Sequence, residues 1–194
     1  MGEIWGIILA AGESKRMGFP KMLLKFNGST MIENVIRNVS GSEIKNIMVV
    51  LGSNSEILVK LVDDCNVSHC FNEKYKEGML SSVRCGLRNV PYDFEAVLFF
   101  QGDQPLITTE VINIVIAAYR STGKGIVIPV FEKERGHPVL IDRKYRDEIE
   151  KLNDNEGLRS LSYLYPDDVL EIETDEPGIL RDFDTYEDYR KEIN

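Results

Sequence analysis

The sequence predicts an α/β fold with three layers, α/β/α, in which a mainly parallel, twisted sheet lies between helices on both faces. The first observation behind this prediction is that short apolar runs alternate with amphipathic runs through the first two-thirds of the 194 residues. The second is that the apolar runs are nearly continuous, which is typical of strands buried on both faces of a parallel sheet. No linker, internal repeat or low-complexity stretch interrupts the chain, so we expect residues 1–194 to form one domain.

Five apolar runs have the composition of buried strands. In chain order they are residues 5–8, 47–51, 67–71, 96–100 and 126–128. Parallel sheets of this kind bind ligands beyond the carboxyl ends of their strands. The segments that follow these runs are therefore the first places to look for a site.

The amphipathic runs between the strands repeat apolar residues at helical spacing. At the start of the first one, Thr30 and Glu33 have the spacing of a capping box, which predicts that a helix begins there. The apolar positions of the predicted helices are Met31, Ile32, Val35, Ile36 and Val39; Ile57, Leu58, Leu61 and Val62; Met79, Leu80, Val83 and Leu87; and Val111, Ile112, Val115, Ile116 and Tyr119.

Composition excludes several classes of protein. A net charge of −9 argues against a nucleic-acid binder, because the phosphate backbone would be repelled. We find no signal peptide and no run of membrane length, so we expect a cytoplasmic protein without a membrane partner. Three cysteines without a CxxC pair indicate neither a disulfide framework nor a zinc site, and we expect reduced thiols. No dimerisation arm is visible, which favours a monomer.

The most informative segment is residues 9–21, LAAGESKRMGFPK, directly after the first predicted strand. Ala10, Ala11 and Gly12 have little or no side chain, so a ligand can approach the backbone, and Gly12 can adopt a positive φ angle. Arg16 and Lys21 add positive charge where phosphate oxygens would bind. The spacing is that of neither a Walker loop nor a GxGxxG loop. The alternative is an ordinary strand-to-helix turn with two solvated cations.

Asp103 follows the predicted strand at residues 96–100, between Gly102 and Pro105. A carboxylate at the end of a central strand is well placed to bind Mg²⁺, which takes one or two carboxylates and completes its shell with phosphate and water. The alternative is that Asp103 caps the helix that begins near Thr109.

Asp182 and Asp184 lie near the end of the chain, two residues apart, so that in an extended segment both carboxylates could face one cavity. Asp184 is the stronger candidate for a metal ligand. Thr185 and Asp188 have the spacing of a helix cap.

Ser81 and Ser82 lie near the start of the third predicted helix, where unpaired backbone N–H groups favour polar ligands. Simple capping of the helix would explain one of them without any ligand. His137, in Gly136-His137-Pro138, is expected to be structural or to contact the substrate rather than to carry a proton. We expect His69 and Cys85 to be packing residues.

Taken together, these motifs resemble the molybdenum cofactor cytidylyltransferase family, within the superfamily of nucleotide-diphospho-sugar transferases, and the match runs almost end to end. It includes residues 9–21, the stretch from Asn72 through Gly78 to Ser82, GDQPL at 102–106, GHPVLI at 136–141 and DFDTYED at 182–188. The resemblance implies the Rossmann-like fold of that superfamily. Phe183 and Tyr186 depart from the family, which more often has Ile and Pro there.

The resemblance also implies roles for individual residues. Arg16 and Lys21 would hold the triphosphate, and Ser82 would contact the nucleotide. Asp103 would hold Mg²⁺, with Asp184 as second ligand and Asp182 nearby. The backbone of four residues would meet the base and ribose, namely Leu9, Ala10, Ala11 and Gly12.

The activity implied by the resemblance is transfer of CMP from CTP to the terminal phosphate of the molybdenum–pterin cofactor, with a molybdenum hydroxylase as a candidate recipient of the product. Ala11 favours CTP, although uridylyl-transferring relatives share the Ala-Ala-Gly sequence. One alternative keeps the chemistry and changes the acceptor to a sugar or polyol phosphate. Another is a non-catalytic carrier of the molybdenum cofactor.

Overall fold

A computed structural model describes residues 2–183 and 185–193, and within them the predicted three-layer α/β fold is confirmed. Eight strands of the described residues form one sheet in the order β10-β7-β9-β6-β1-β4-β5, and β8 pairs with β7. The strands of this sheet are β1 (Ile4–Ala10), β4 (Asn46–Leu51), β5 (Ser68–Phe71), β6 (Ala96–Gln101), β7 (Ile126–Phe131), β8 (Glu134–Arg135), β9 (Val139–Asp142) and β10 (Val169–Glu173). A separate two-stranded ribbon consists of β2 (Lys25–Phe26) and β3 (Ser29–Thr30).

The helices follow the predicted apolar spacing in the first two-thirds of the chain. They are α1 (Met31–Ser40), α2 (Ser55–Asp64), α3 (Met79–Arg88), α4 (Thr109–Thr122), α5 (Arg146–Lys151), α6 (Ser160–Leu164) and α7 (Tyr186–Ile193). Single turns of 3₁₀ helix occur at Lys21–Leu23, Tyr75–Glu77, Arg143–Tyr145, Pro166–Asp168 and Pro177–Leu180. No helix among the described residues is long and apolar enough to cross a membrane.

Successive residues of the central strands enter two different cores. Ile8 and Phe100 face the layer formed by α1, α2 and α4, and the side chains next to them, Ile7 and Phe99, face α3, α5 and α6. This alternation explains why the central strands have almost no polar residues. Two apolar positions of the predicted helices, Ile57 and Met79, are exposed rather than buried.

The sheet is parallel except at two strands. β8 runs antiparallel to β7, and β9 runs antiparallel to both β6 and β7. β9 was absent from the predicted strands, as were β8, β10 and the ribbon. β9 has only four residues, and β10 alternates apolar with acidic residues because it lies at the edge of the sheet. The reversed direction of β9 brings its amino end, and hence His137, to the edge where the parallel strands end.

Candidate active site

The predicted site motifs meet along the carboxyl edge of β1, β4, β5 and β6. The register pairs Ala10 with Leu51 and Leu9 with Gln101, so the loops after these strands begin side by side. The backbone N–H of Gly102 also donates to the carbonyl of Leu9, at 3.0 Å. The fold therefore places the loop at residues 11–20 beside the segment that carries Asp103.

Small residues at the end of β1 serve close packing. Ala10 and Ala11 are buried, and the carbonyl of Ala11 accepts a hydrogen bond from the N–H of Ser53, at 3.0 Å. A Cβ at Gly52 would lie 2.8 Å from both the Cβ and the carbonyl oxygen of Ala11, so the two loops are in direct contact. Gly12 is exposed with no heavy atom within 4 Å of the place a Cβ would occupy, which leaves room for a ligand beside it.

The positive φ angles of this loop lie at Ser14 (54°) and Gly18 (67°), and not at Gly12, where the sequence would allow one. The carbonyl of Ser14 accepts from the N–H groups of Met17 and Gly18, at 3.0 and 3.2 Å, and its hydroxyl accepts from the N–H of Lys21, at 3.2 Å. Ser14 thus closes a tight turn and fixes the start of the segment that carries Lys21. Ser14 is not among the site residues predicted from the sequence.

Lys21 and Asp103 are in direct contact, although they are 82 positions apart in the sequence. The ammonium of Lys21 donates to Oδ2 of Asp103, and their side chains are only 15% and 6% exposed. This ion pair joins the loop after β1 to the loop after β6. Arg16, the other predicted phosphate ligand, lies on the exposed part of the loop.

The alternative role for Asp103, as the cap of α4, is wrong. The hydroxyl of Thr108 accepts from the N–H of Val111, at 3.3 Å, and it is Thr108 that caps the helix. Asp103 is instead buried at the end of β6, where a Cβ on Gly102 would lie 3.0 Å from the sulfur of Met22. The carbonyl of Gln101 accepts from the N–H of Gln104, at 3.3 Å, which closes the turn that aims the carboxylate at Lys21.

Ser82 is held by a buried asparagine that the sequence analysis included in the motif without giving it a role. The amide of Asn72 donates to the hydroxyls of Ser81 and Ser82, at 2.8 and 3.0 Å. Neither serine caps α3 in the usual way, because the N-cap residue is Gly78 and no side chain accepts from the first turn. The capping alternative for Ser81 and Ser82 is therefore wrong, and Asn72 fixes the position of both hydroxyls.

His137 reaches the same edge from the other half of the sheet. Its backbone N–H donates to the carbonyl of Ile179, at 3.0 Å, and its Nε2 lies 3.3 Å from the amide nitrogen of Gln101. Burial lowers the pKa of His137 to about 4, against a smaller opposite effect of the Asp103 charge. The imidazole is neutral at physiological pH, which suits a hydrogen-bonding role.

A cavity of about 500 Å³ opens between α3, β6, β7, β9 and α6, with His137 and Gln101 in its wall. Most of its surface is apolar, and its rim has Arg135, Arg159 and Tyr163. A cavity of this size can enclose a small organic molecule. Leu9, near the end of β1, and Gln101, two positions before Asp103, both line it.

The described residues contain no group of three or more His, Cys, Asp or Glu side chains arranged for a metal ion. Asp184, the predicted second ligand, lies outside the described residues. Thr185 caps α7 as predicted, since its hydroxyl donates to Asp188, at 2.6 Å, and accepts from the N–H of Asp188, at 3.2 Å. Phe183 is buried in a small apolar cluster with Phe26 and Tyr189, so this departure from the family contributes to packing.

Comparison with known proteins gives consistent results at the level of the family. The sequence model of the MobA-like NTP transferase domain matches residues 6–169. The bifunctional protein GlmU of Clostridium kluyveri is 39% identical over 124 residues, which cover 63% of this chain and 27% of that protein. The chain thus spans only about a quarter of that relative.

Two other similarities extend over nearly the whole chain. The molybdenum cofactor cytidylyltransferase of Escherichia coli is 25% identical over 189 residues, covering 97% of this chain and 95% of that protein. The crystal structure of Rv0371c from Mycobacterium tuberculosis superposes with a TM-score of 0.84 and 24% identity, covering 98% of each chain. A complex of Rv0371c with manganese superposes with a TM-score of 0.73 and 21% identity, covering 97% of each chain.

Proposed function

The chain belongs to the family of MobA-like NTP transferase domains, and from this premise we propose that it transfers CMP from CTP to the terminal phosphate of the molybdenum–pterin cofactor, releasing pyrophosphate. The observation that carries the proposal is the buried contact between Lys21 and Asp103. It places a cation suited to phosphate and a carboxylate suited to a hard metal ion at one point of the sheet edge.

The nucleotide half of the proposed site is the loop after β1 together with the start of α3. Gly12 leaves room for a base and ribose beside the backbone, and Ala11 packs closely against Gly52. Asn72 fixes the position of the Ser82 hydroxyl. Arg16 and Lys21 would bind the triphosphate. Ala10 would contribute through its backbone, since its side chain is buried, and Leu9 would contribute through its backbone while its side chain lines the cavity that contains His137.

The residues present fit a divalent cation, for which we propose Mg²⁺. Asp103 offers a buried carboxylate, and Mg²⁺ needs only one or two carboxylates when phosphate and water complete its shell. Asp184 is our proposed second ligand, with Asp182 near it. When bound, the cation would neutralise charge on the phosphate oxygens.

In the proposed reaction an oxygen of the acceptor phosphate attacks the α-phosphorus of CTP. A bond forms between that oxygen and the α-phosphorus, and the bond from the α-phosphorus to the bridging oxygen breaks, so that pyrophosphate leaves. A phosphate monoester is already deprotonated near neutral pH, so no general base is needed. The low pKa of His137 is consistent with a reaction that needs no general base. Lys21 and Arg16 would contribute by orienting the triphosphate and stabilising its charge.

The cavity that contains His137 would bind the acceptor. Its mostly apolar wall suits the flat ring system of a pterin better than a polyhydroxylated sugar phosphate. The full-length similarity to the Escherichia coli cytidylyltransferase supports the same choice. There are two alternatives. The acceptor is a sugar or polyol phosphate, or the protein is a non-catalytic carrier that delivers the cofactor to a molybdenum hydroxylase. The test below distinguishes both from the proposed reaction.

The test is pyrophosphate release with Mg²⁺ and each NTP in turn, with and without the molybdenum–pterin cofactor. We expect release with CTP only when the cofactor is present. Asp103→Asn should reduce that rate by about 100-fold or more, whereas Asp147→Asn, which changes an exposed carboxylate on α5, should not. Pyrophosphate release with a sugar or polyol phosphate in place of the molybdenum–pterin cofactor would show that this phosphate is the acceptor. A folded Asp103→Asn protein with unchanged turnover would contradict the assignment.

A further inference from the structure

Cys70 on β5 and Cys85 on α3 face each other across the strand–helix interface. Their sulfur atoms are 3.7 Å apart, and both are free thiols. They belong to the core cluster on the α3 side of the sheet, whereas the third cysteine, Cys65, packs against the cluster on the opposite side. Only Cys70 and Cys85 are therefore placed to react with each other.

The thiol pair lies next to the hydrogen bonds that hold Ser82. Cys70 and Asn72 are two positions apart along the end of β5, and Ser82 and Cys85 are one turn apart on α3. The contact from Cys70 to Cys85 and the bond from Asn72 to Ser82 are thus two successive contacts across the same interface. A change in one alters the spacing at the other.

The two sulfur atoms differ in access. Cys85 is half-buried and lies in the wall of a polar surface cavity of about 340 Å³, whose lining includes Arg84 and Arg88. Cys70 is buried, and burial raises the pKa of its thiol well above the usual range. A small oxidant would therefore meet Cys85 first, and Cys70 would react second from the interior.

We propose that Cys70 and Cys85 are a redox modification site, at which a hydroperoxide converts the two thiols to a disulfide that weakens nucleotide binding. The thiolate of Cys85 attacks one peroxide oxygen, so that an S–O bond forms, the O–O bond breaks and water or an alcohol leaves. The sulfur of Cys70 then attacks the sulfur of the sulfenic acid, an S–S bond forms, and the hydroxyl leaves as water with the proton of Cys70. The two sulfur atoms together lose two electrons, which the hydroperoxide gains.

An S–S bond is about 2.0 Å long and the sulfur atoms now lie 3.7 Å apart, so the disulfide forms by rotation of the two side chains together with a shift of α3 relative to β5. Because Ser82 is one turn before Cys85, that shift changes the 3.0 Å distance from the amide of Asn72 to the hydroxyl of Ser82 and disturbs their hydrogen bond. Formation of the disulfide is independent of the proposed function, but its effect on CTP rests on that function. A dithiol reductant reverses the step.

The first measurement is a count of free thiols in the urea-unfolded full chain, made before and after the folded protein is treated with hydrogen peroxide, because Cys70 is buried in the folded protein. We expect Cys70 and Cys85 to lose reactivity together, the mass to fall by two hydrogen atoms, and dithiothreitol to restore both. Cys65→Ser should behave like the wild type, and Cys70→Ser, Cys70→Ala and Cys85→Ser should form no internal disulfide. Retention of both thiols, or oxidation of Cys85 that stops short of a disulfide, overturns the proposal.

The second measurement is CTP affinity of the reduced and oxidised protein. We expect oxidation to weaken binding by about tenfold, reversibly in the wild type and in Cys65→Ser, and to have no effect in Cys70→Ala. An oxidised protein with unchanged affinity overturns the link to the nucleotide. A reduced protein that binds no CTP contradicts the proposed function instead, and the thiol count still decides whether the disulfide forms.

Discussion

Lys21 and Asp103 neutralise each other's charge in the candidate site. Before substrates bind, each group is therefore engaged with the other rather than with a phosphate or a metal ion. Asp103 is buried, so its carboxylate needs a partner, and the ammonium of Lys21 provides it. In the proposed reaction the same two groups face the triphosphate and a cation. Substrate binding would therefore replace the ion pair by two contacts, one from Lys21 to the triphosphate and one from Asp103 to the cation. Each charge keeps a partner of opposite sign, so the free-energy cost of burying the charges changes little.

Replacing Lys21 by Met tests this exchange. We expect turnover to fall by about 100-fold or more, because a cation that stabilises the triphosphate is lost. Mn²⁺ should nevertheless bind more tightly, since Asp103 no longer has a competing positive charge. Mn²⁺ binding can be followed by electron paramagnetic resonance and turnover by pyrophosphate release. Lys15→Met, which removes an exposed cation of the same loop, is the control and should change neither by much. Weaker Mn²⁺ binding in Lys21→Met would contradict the exchange.

The half-buried imidazole of His137 leads to a prediction about pH. Its pKa in the folded protein is about 4, below the value of about 6.5 expected in the unfolded chain. Between these values the unfolded state binds a proton that the folded state does not, so the free energy of unfolding falls as the pH falls below 6.5. From pH 7 to pH 5 the wild type should lose about 1–2 kcal/mol more than His137→Asn.

Urea unfolding of both proteins at the two pH values measures this difference. His69, which lies 3.2 Å from Asp63, is present in both proteins, so its contribution cancels. Equal losses in the wild type and in His137→Asn would show that His137 titrates normally, and its neutral role in the site would have to be abandoned.

Among the single elements, the predicted ones are four helices and five strands, and the missed strands are β8, β9, β10 and the ribbon. The predicted elements are all present, and most of them bury a face of apolar residues, although only Cys70 of the four residues in β5 is buried. β9 and β10 have only four and five residues, and β10 carries two glutamates at the sheet edge. No local pattern identifies such strands, since their pairing depends on neighbours that are distant in the sequence.

The start of α1 offers a test of how local sequence fixes an element. The hydroxyl of Thr30 accepts from the N–H of Glu33, and the carboxylate of Glu33 accepts from the N–H of Thr30, at 2.7 Å. Thr30→Ala should lower the free energy of unfolding by about 1 kcal/mol. After that change, Glu33→Ala should cost less than it does in the wild type, because each substitution removes one of the two reciprocal bonds. Urea unfolding of the four proteins measures the coupling, and strictly additive losses would contradict a capping box.

Across the molecule, different strands of the sheet lead into the proposed nucleotide site and into the proposed acceptor site. β1, β4 and β5 lead into the loop and the serines of the proposed nucleotide site, whereas β7 and β9 supply the far wall of the cavity that contains His137. Leu9 and the start of α3 line that cavity on the nucleotide side. Sequence motifs identified residues on both sides, including Lys21, Asp103 and His137. They could not give the contact between Lys21 and Asp103, or the one between Gln101 and His137, because these depend on strand order and on the reversed direction of β9.

This separation predicts that the two substrates can be affected independently. Tyr163 lies on the rim of the cavity, 70% exposed, with the guanidinium of Arg135 6.0 Å from its ring centroid. The next residue, Leu164, is 61% exposed and lies outside the described cavity wall. Tyr163→Ala should raise the KM for the acceptor by up to about tenfold, through loss of an aromatic contact, and leave the KM for CTP unchanged.

Leu164→Ala is the matched control, since it removes a similarly exposed apolar side chain from the same helix, and it should leave both KM values unchanged. Initial rates of pyrophosphate release, with each substrate varied in turn, give the KM for CTP and the KM for the acceptor in the wild type and in both variants. If Tyr163→Ala raised the KM for CTP instead, the cavity would belong to the nucleotide, and the acceptor would have to approach Asp103 from the side of the loop at residues 11–20. The geometry disfavours that outcome, because Lys21 already reaches Asp103 from that side.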